Sequence, residues 1–112
     1  ASSAREALQR LETLVLMSGI DLGLRAVRSN IATAVDLVIF LSRLADGSRR
    51  VLQISEITGL EVENITMADL YKTEPRKSAA GYVHELKATG ALPRFYDQLR
   101  LQGHEPPLEF FK

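Results

Sequence analysis

The sequence predicts an α/β domain with two amino-terminal helices, then a β-hairpin, a mixed sheet and a carboxy-terminal helix. The first observation is that apolar residues recur at helical spacing before Asp36 and form strand-like runs after it. The second is the turn signal Asp46-Gly47, which separates two such runs. With 112 residues, the chain is expected to form one domain, residues 1–112, around one hydrophobic core.

The first helix is expected to begin at Ser3, because Ser3-Ala4-Arg5-Glu6 has the form of a capping box. Gly19 can end this helix in the left-handed conformation, and Asp21 is then expected to cap a second helix. The apolar face of the first helix would contain Ala7, Leu8, Leu11, Leu14 and Val15, whereas Arg5, Gln9, Glu12 and Thr13 would lie mostly elsewhere. The apolar face of the second helix would contain Leu24, Val27, Ile31 and Ala34 or Val35, with Arg25, Arg28 and Asn30 on its solvent side.

The β-hairpin is predicted from the stretch between Asp36 and Gly59. The run Leu37–Leu41 has no polar alternation and is rich in β-branched and aromatic residues, which is typical of an interior strand covered on both faces. The return stretch, Val51–Ile57, is more polar and is expected to lie nearer a sheet edge. We therefore expect a hairpin with one deeply buried arm.

The second half of the chain alternates between strand and loop signals. Ile65–Thr73 is ambiguous, because Thr66–Asp69 could form a helical turn before a strand. Pro75–Gly81 has the composition of a surface loop, and Tyr82–Ala88 alternates like a strand. Pro93 suits the first turn of a helix. That helix would bury Phe95, Tyr96 and Leu99 before Gly103, and the apolar tail residues, which must pack on this chain or another, are Leu108, Phe110 and Phe111.

Composition narrows the possible functions. Fourteen basic residues balance fourteen acidic ones, so we expect no nucleic-acid partner. No apolar run reaches the length of a membrane span, so no direct membrane insertion is expected. The absence of cysteine excludes disulfides, thiolate zinc sites and cysteine nucleophiles.

The common signatures of catalytic and metal sites are missing from the sequence. It contains no GxxxxGK[ST] phosphate loop, no GxGxxG, no HExxH and no EF-hand loop. His84 and His104 lie far apart, and neither has a carboxylate at the spacing of a metal site. The serines of the hairpin have no evident base partner nearby in sequence. We therefore predict no catalytic residue and no metal ligand in this chain.

Arginines are the most informative polar residues. Arg43, Arg49 and Arg50 flank the hairpin turn, and Arg10 lies in the first helix. A cluster of guanidinium groups is suited to phosphate or carboxylate recognition, because each planar fork donates two parallel hydrogen bonds. The alternative is a solvated turn with surface ion pairs, each worth about 0–1 kcal/mol. The residue pattern alone favours this alternative.

Five segments resemble, in the same order, the CpaF/TadA (tight-adherence) family of type II/IV secretion ATPases, and together they extend over essentially the whole chain. Each segment alone is weak evidence for the family, but five segments in the family's order are more specific for it. The segments are Arg10–Gly19, Ile31–Val38, Asp46–Val51, Ile54–Gly59, and Ala88–Gly90 with Pro93–Phe95. The sequence departs from the family at Gly23, where relatives often have proline, and Pro75–Gly81 corresponds to a variable region.

The resemblance implies the carboxy-terminal portion of a RecA-like (P-loop NTPase) domain from a motor that assembles Flp-type pili or drives secretion. Such motors are homo-hexamers. They bind ATP and Mg²⁺ between subunits, and they work with platform proteins at the cytoplasmic face of the inner membrane. The family's phosphate loop, acidic boxes and histidine box precede the matching region, so Ala1 is expected to lie just past the histidine box. ATP and Mg²⁺ are thus implied for the parent protein, and this chain alone is not expected to hydrolyse ATP.

The resemblance also gives the polar residues possible roles. The hairpin arginines could face the nucleotide or a neighbouring subunit, Asp36 could orient one of them or cap the second helix, and Arg10 would be structural. The candidates are therefore Arg43, Arg49, Arg50, Asp36 and Arg10.

A free-standing α/β interaction module that binds no nucleotide is the alternative. An independent enzyme is the least supported reading, because no reactive constellation is visible. If Leu37–Leu41 and the first helix normally pack against another part of a larger protein, the chain by itself is expected to expose apolar surface and an open strand edge, which favours self-association.

Overall fold

A four-stranded antiparallel sheet with helices forms the architecture, in a computed structural model that describes residues 3–19, 21–79 and 81–112. The strand order is β1-β2-β3-β4, so each strand pairs with the next one in the chain. Because all three pairings are antiparallel, the prediction of a mixed sheet is wrong, whereas the α/β class is confirmed. The elements are α1 (Ala4–Met17), α2 (Leu24–Ala34), β1 (Leu37–Arg43), β2 (Arg49–Glu61), β3 (Asn64–Ser78), β4 (Gly81–Ala88), α3 (Tyr96–Leu101) and a 3₁₀ turn, Leu108–Phe111.

The start of α1 agrees with the capping box. The Ser3 hydroxyl accepts a hydrogen bond from the Glu6 backbone N–H at 3.1 Å, and Gly19 follows the helix with a φ of +83°. The predicted cap of α2 is wrong, since its N-cap is Gly23 and no side chain caps it. Asp21 lies two residues upstream of that position, too far from the first helical turn to act as its N-cap.

Only a narrow stripe of each helix is buried. In α1 the buried residues are Ala4, Leu8 and Glu12, spaced four apart, and in α2 they are Val27 and Ile31. Several predicted inward positions are instead exposed, namely Leu11, Leu14, Leu24 and Ala34. The core between the helices and the sheet consists of Leu8, Val27, Ile31, Ile57 and Ile65.

In the first hairpin, the strand that was predicted to be interior lies at the sheet edge, and the strand that was predicted to lie nearer the edge is interior. The hairpin itself is confirmed, with Arg43 opposite Arg49 and Gly47 at a φ of +87°. However, β1 is an edge strand whose residues are alternately exposed and half-buried, and 53% of Ile39 is exposed. The prediction of a deeply buried first arm is therefore wrong, and β2 is the interior strand. Helices cover only one face of β1, where Val38 packs against the core.

The ambiguous and loop-like stretches after the hairpin form one long strand. β3 runs unbroken from Asn64 to Ser78. The possible helical turn at 66–69 is therefore absent, and the prediction of a loop is wrong for residues 75–78. At Ala80 the loop prediction lies outside the described residues. Pro75 is tolerated because β2 pairs with β3 only as far as Lys72, leaving Pro75 to face β4 alone.

The carboxy-terminal segment, residues 91–112, packs on the sheet face opposite to the helices. Glu56 and Tyr71 lie on that face as cross-strand partners of Leu37 and Ile54, and both hydrogen-bond to this segment. α3 begins at Tyr96, three residues later than Pro93, and Tyr96 is buried. Phe111 meets the Tyr96 ring edge-on at 5.8 Å, so this part of the apolar tail packs on its own chain.

Candidate functional site

Three exposed arginines lie where the β1–β2 hairpin turns, and we call Arg43, Arg49 and Arg50 the hairpin tip. Arg43 and Arg49 are direct cross-strand partners, which places both side chains on the same sheet face. Arg50 is opposite Ser42 and lies on the other face. Among the described residues, none of the three forms a salt bridge within 4.0 Å, so the hairpin tip has a local excess of positive charge over the single carboxylate of Asp46.

The turn below these arginines is held by a carboxylate. The Ser48 hydroxyl donates to Asp46 Oδ1 at 2.6 Å, and the Ser48 backbone N–H donates to the same atom at 2.9 Å. These hydrogen bonds, with a smaller contribution from the charge of Arg50, hold the pKa of Asp46 below its ordinary value of 3.8. The Arg43 Nε donates to the Gly47 carbonyl at 3.3 Å, which orients that side chain over the turn.

The other two predicted candidates lie away from the hairpin tip. Asp36 precedes β1 and is about 23 Å from Arg43 along the strand, given a rise of about 3.3 Å per residue. It orients none of the hairpin arginines of its own chain. The C-cap of α2 is Val35, and the Asp36 carbonyl accepts from the Ile57 N–H at 3.0 Å. Arg10 is exposed on α1 and makes no side-chain hydrogen bond within the described part of the chain.

A groove between the start of β1, the middle of β2 and α3 encloses about 590 Å³. We call it the Glu56 groove, and its polar lining residues are Asp36, Glu56, Thr58, Arg94 and Gln98. Glu56 is only 5% exposed and accepts a hydrogen bond from the Arg94 backbone N–H at 2.7 Å. The Arg94 guanidinium donates to the Thr58 carbonyl.

Glu56 and Arg94 were not predicted as site residues from the sequence. The signal that could have identified them is their place in the series of five segments described above, in Ile54–Gly59 and in Pro93–Phe95. They are 38 residues apart in sequence, and only the packing of the carboxy-terminal segment on the sheet brings them together.

An apolar row connects the two charged regions. We call Leu37, Ile39 and Leu41 the edge strip; they are 38%, 53% and 59% exposed on the sheet face opposite to α1 and α2. The row ends at Arg43 in one direction and at the Glu56 groove in the other. This arrangement suits recognition of another surface.

Metal ligation and nucleophilic catalysis gain no support from this arrangement. Within residues 3–19, 21–79 and 81–112, no three histidine or acidic side chains are grouped as a metal site would require. Ser55, which is fully buried, donates to Asp69 Oδ1 at 2.6 Å and is held as a structural group.

The fold defines a small α/β domain, and its described surface includes the exposed arginines of the hairpin tip and the apolar edge strip. Comparison with family models and with curated proteins gives no match to the sequence. In the described part of the chain, no helix combines the length and apolarity that crossing a membrane requires.

Proposed function

We propose that the chain is the carboxy-terminal part of a RecA-like motor of the CpaF/TadA type, which powers Flp pilus assembly or type II/IV secretion. The observation that carries the proposal is the ordered series of resembling segments from Arg10 to Phe95. The parent motor would be a homo-hexamer at the cytoplasmic face of the inner membrane, in contact with pilus or secretion platform proteins.

Within such a motor, this chain supplies fold and subunit-interface surface, and ATP turnover depends on other parts. Phosphoryl transfer requires a phosphate loop, its lysine and Mg²⁺, and the sequence has no such loop. Mg²⁺ in such motors is held by one or two carboxylates together with the nucleotide phosphates, so we expect it beside the phosphate loop of the parent. The hairpin tip supports a role at an interface, because its exposed arginines are free to meet a phosphate or a carboxylate.

The test compares ATP hydrolysis by this chain with hydrolysis by a protein extended upstream through the expected phosphate loop. We expect turnover only in the extended protein, and a loss of about tenfold or more for Arg49→Ala or Arg50→Ala in it. Arg25→Ala, at an exposed arginine of α2, is the matched control and should retain activity. A folded, hexameric extended protein without ATPase activity would contradict the proposal.

The second candidate function is a free-standing interaction module without nucleotide. The exposed edge strip favours it, because contiguous apolar surface on a sheet edge is typical of a protein-docking site. The gene sequence upstream of Ala1 separates the candidates. A GxxxxGK[ST] loop roughly a hundred or more residues earlier supports the motor. A short open reading frame starting near Ala1 supports the module.

A further inference from the structure

We propose that the β1 edge is a self-complementary interface through which two copies of this chain pair their β1 strands antiparallel, joining two four-stranded sheets into one. This interface is independent of the ring of the proposed motor. Three features of the described residues support it, namely an unpaired strand edge, an exposed apolar row and opposite charges at the two ends of that row.

The strand edge provides the backbone contacts. Among the described residues, β1 is hydrogen-bonded as a strand only to β2, so its outer edge offers N–H and C=O groups that no described strand pairs. Short edge strands are often protected by charged side chains or proline, yet β1 has neither between Leu37 and Leu41. The strand is therefore able to accept another strand beside it.

The edge strip provides the apolar contacts. In an antiparallel pair related by a two-fold axis perpendicular to the sheet, both copies keep their edge strips on the same face. A register that sets Ile39 opposite Leu41 of the second copy places two apolar pairs at cross-strand distance. Since Ile39 and Leu41 are more than half exposed in the single chain, this pairing removes apolar surface from water.

The charges select the second copy as the occupant. Arg43 and Arg49 lie side by side at one end of the strip, where like charges repel, and no carboxylate of the described residues pairs with them. At the other end, Asp36 is exposed and Glu56 is 5% exposed, and these two carboxylates outnumber the one guanidinium there, that of Arg94, which donates to the Thr58 carbonyl. That end is therefore the acidic end of the strip. The two-fold axis brings the basic end of each copy to the acidic end of the other.

The register also places the charges within reach. With Ile39 opposite Leu41, Leu37 is opposite Arg43 of the second copy, which brings that guanidinium to the end of the strip where Asp36 lines the Glu56 groove together with Leu37. Every such contact occurs twice because the interface is isologous. A small interface of this kind is expected to be weak, with a Kd on the order of 100 μM.

Sedimentation velocity from about 10 μM to 1 mM tests the pairing. We expect wild-type protein to dimerise, and Ile39→Lys to raise Kd by about tenfold or more, since it puts a charge into the strip. Val62→Lys is the matched control; Val62 is 86% exposed in the β2–β3 turn, beyond the part of β2 that pairs with β1, and its substitution should leave Kd unchanged. A wild-type monomer at all concentrations, or equal effects of both variants, would overturn the proposal.

A charge-exchange experiment tests the orientation of the two copies. Asp36→Lys alone and Arg43→Glu/Arg49→Glu alone should each be monomeric, because both charged contacts of their homodimers become repulsive. An equimolar mixture should associate, since both contacts of the mixed dimer are attractive. Circular dichroism confirms that each variant is folded. Failure of the folded variants to associate when mixed would overturn the antiparallel arrangement.

Discussion

Glu12 of α1 and Arg28 of α2 form a salt bridge, with 3.0 Å between Glu12 Oε1 and Arg28 Nε, at the boundary between the helices and the sheet. Their side chains are only 11% and 24% exposed. Arg28 also donates to the Glu63 carbonyl at 3.1 Å, so this pair links both helices to the β2–β3 turn. Sequence periodicity predicts both residues outside the apolar faces, but the structure uses them at a helix contact.

Replacement of Glu12 by alanine is expected to destabilise the fold by about 2–3 kcal/mol, because it leaves a partly buried guanidinium without its carboxylate. Urea unfolding measures this change. Arg25→Ala is the control, since Arg25 is exposed on the same helix as Arg28, and it should change stability by no more than about 0.5 kcal/mol. A double-mutant cycle with Arg28→Ala should show coupling between the partners; independent effects would contradict the role of the pair.

Asp69 connects β2, β3 and α1. Its Oδ1 accepts hydrogen bonds from the Ser55 hydroxyl at 2.6 Å and from Gln53 Nε2 at 2.8 Å, and Gln53 Oε1 accepts from the Ala4 N–H. Because Ser55 is fully buried, Asp69→Ala should cost about 2–3 kcal/mol in unfolding free energy. Asp97→Ala removes an exposed carboxylate and should be nearly neutral. Equal stability of the two variants would contradict this prediction.

Glu56 anchors the carboxy-terminal segment by accepting the Arg94 N–H. In Glu56→Ala this anchor is lost, and we expect faster amide hydrogen exchange in residues 91–112 with little change in α1 and α2. Glu56→Gln retains a side-chain acceptor and should preserve more of the protection. If exchange in the segment were the same in both variants, the hydrogen bond would not be the anchor.

The Asp46–Ser48 turn predicts a local dependence on pH. The pKa of Asp46 is lower in the folded chain, so its hydrogen bonds stabilise the turn above the unfolded-state pKa and are lost as pH falls through the folded-state pKa. Ser48→Ala should therefore raise the pKa of Asp46 towards 3.8, as measured by NMR titration of its carboxyl carbon. Ser78→Ala, in the β3–β4 hairpin, is the control. An unchanged Asp46 pKa in Ser48→Ala would contradict the assigned cause.

Local signals in the sequence predicted local structure well. The Ser3 cap, the hairpin at Asp46-Gly47 and the strand predicted at Tyr82–Ala88 all depend on neighbouring residues, and all are present, the last as β4, which begins one residue earlier at Gly81. The predictions that failed depended on which distant segments pack against a helix or a strand. Leu37–Leu41 is apolar enough for an interior strand, but composition alone does not give the number of covered faces.

The site residues divide in the same way, between those placed by local structure and those placed by long-range packing. Arg43 and Arg49 were predicted together because a turn brings nearby residues into contact. Glu56 and Arg94 were missed because their contact depends on a distant segment folding over the sheet. Register also decided that Arg50 lies on the face opposite to its two neighbours.

The sequence by itself determined the helix start, the hairpin turn and the absence of a phosphate loop. The tertiary structure decided the strand order, the exposure of the edge strip and the placement of opposite charges at its two ends. The physical reason is the distance along the sequence over which each interaction acts. Capping and turn formation involve atoms a few residues apart, whereas burial and charge pairing depend on which distant segments share a surface.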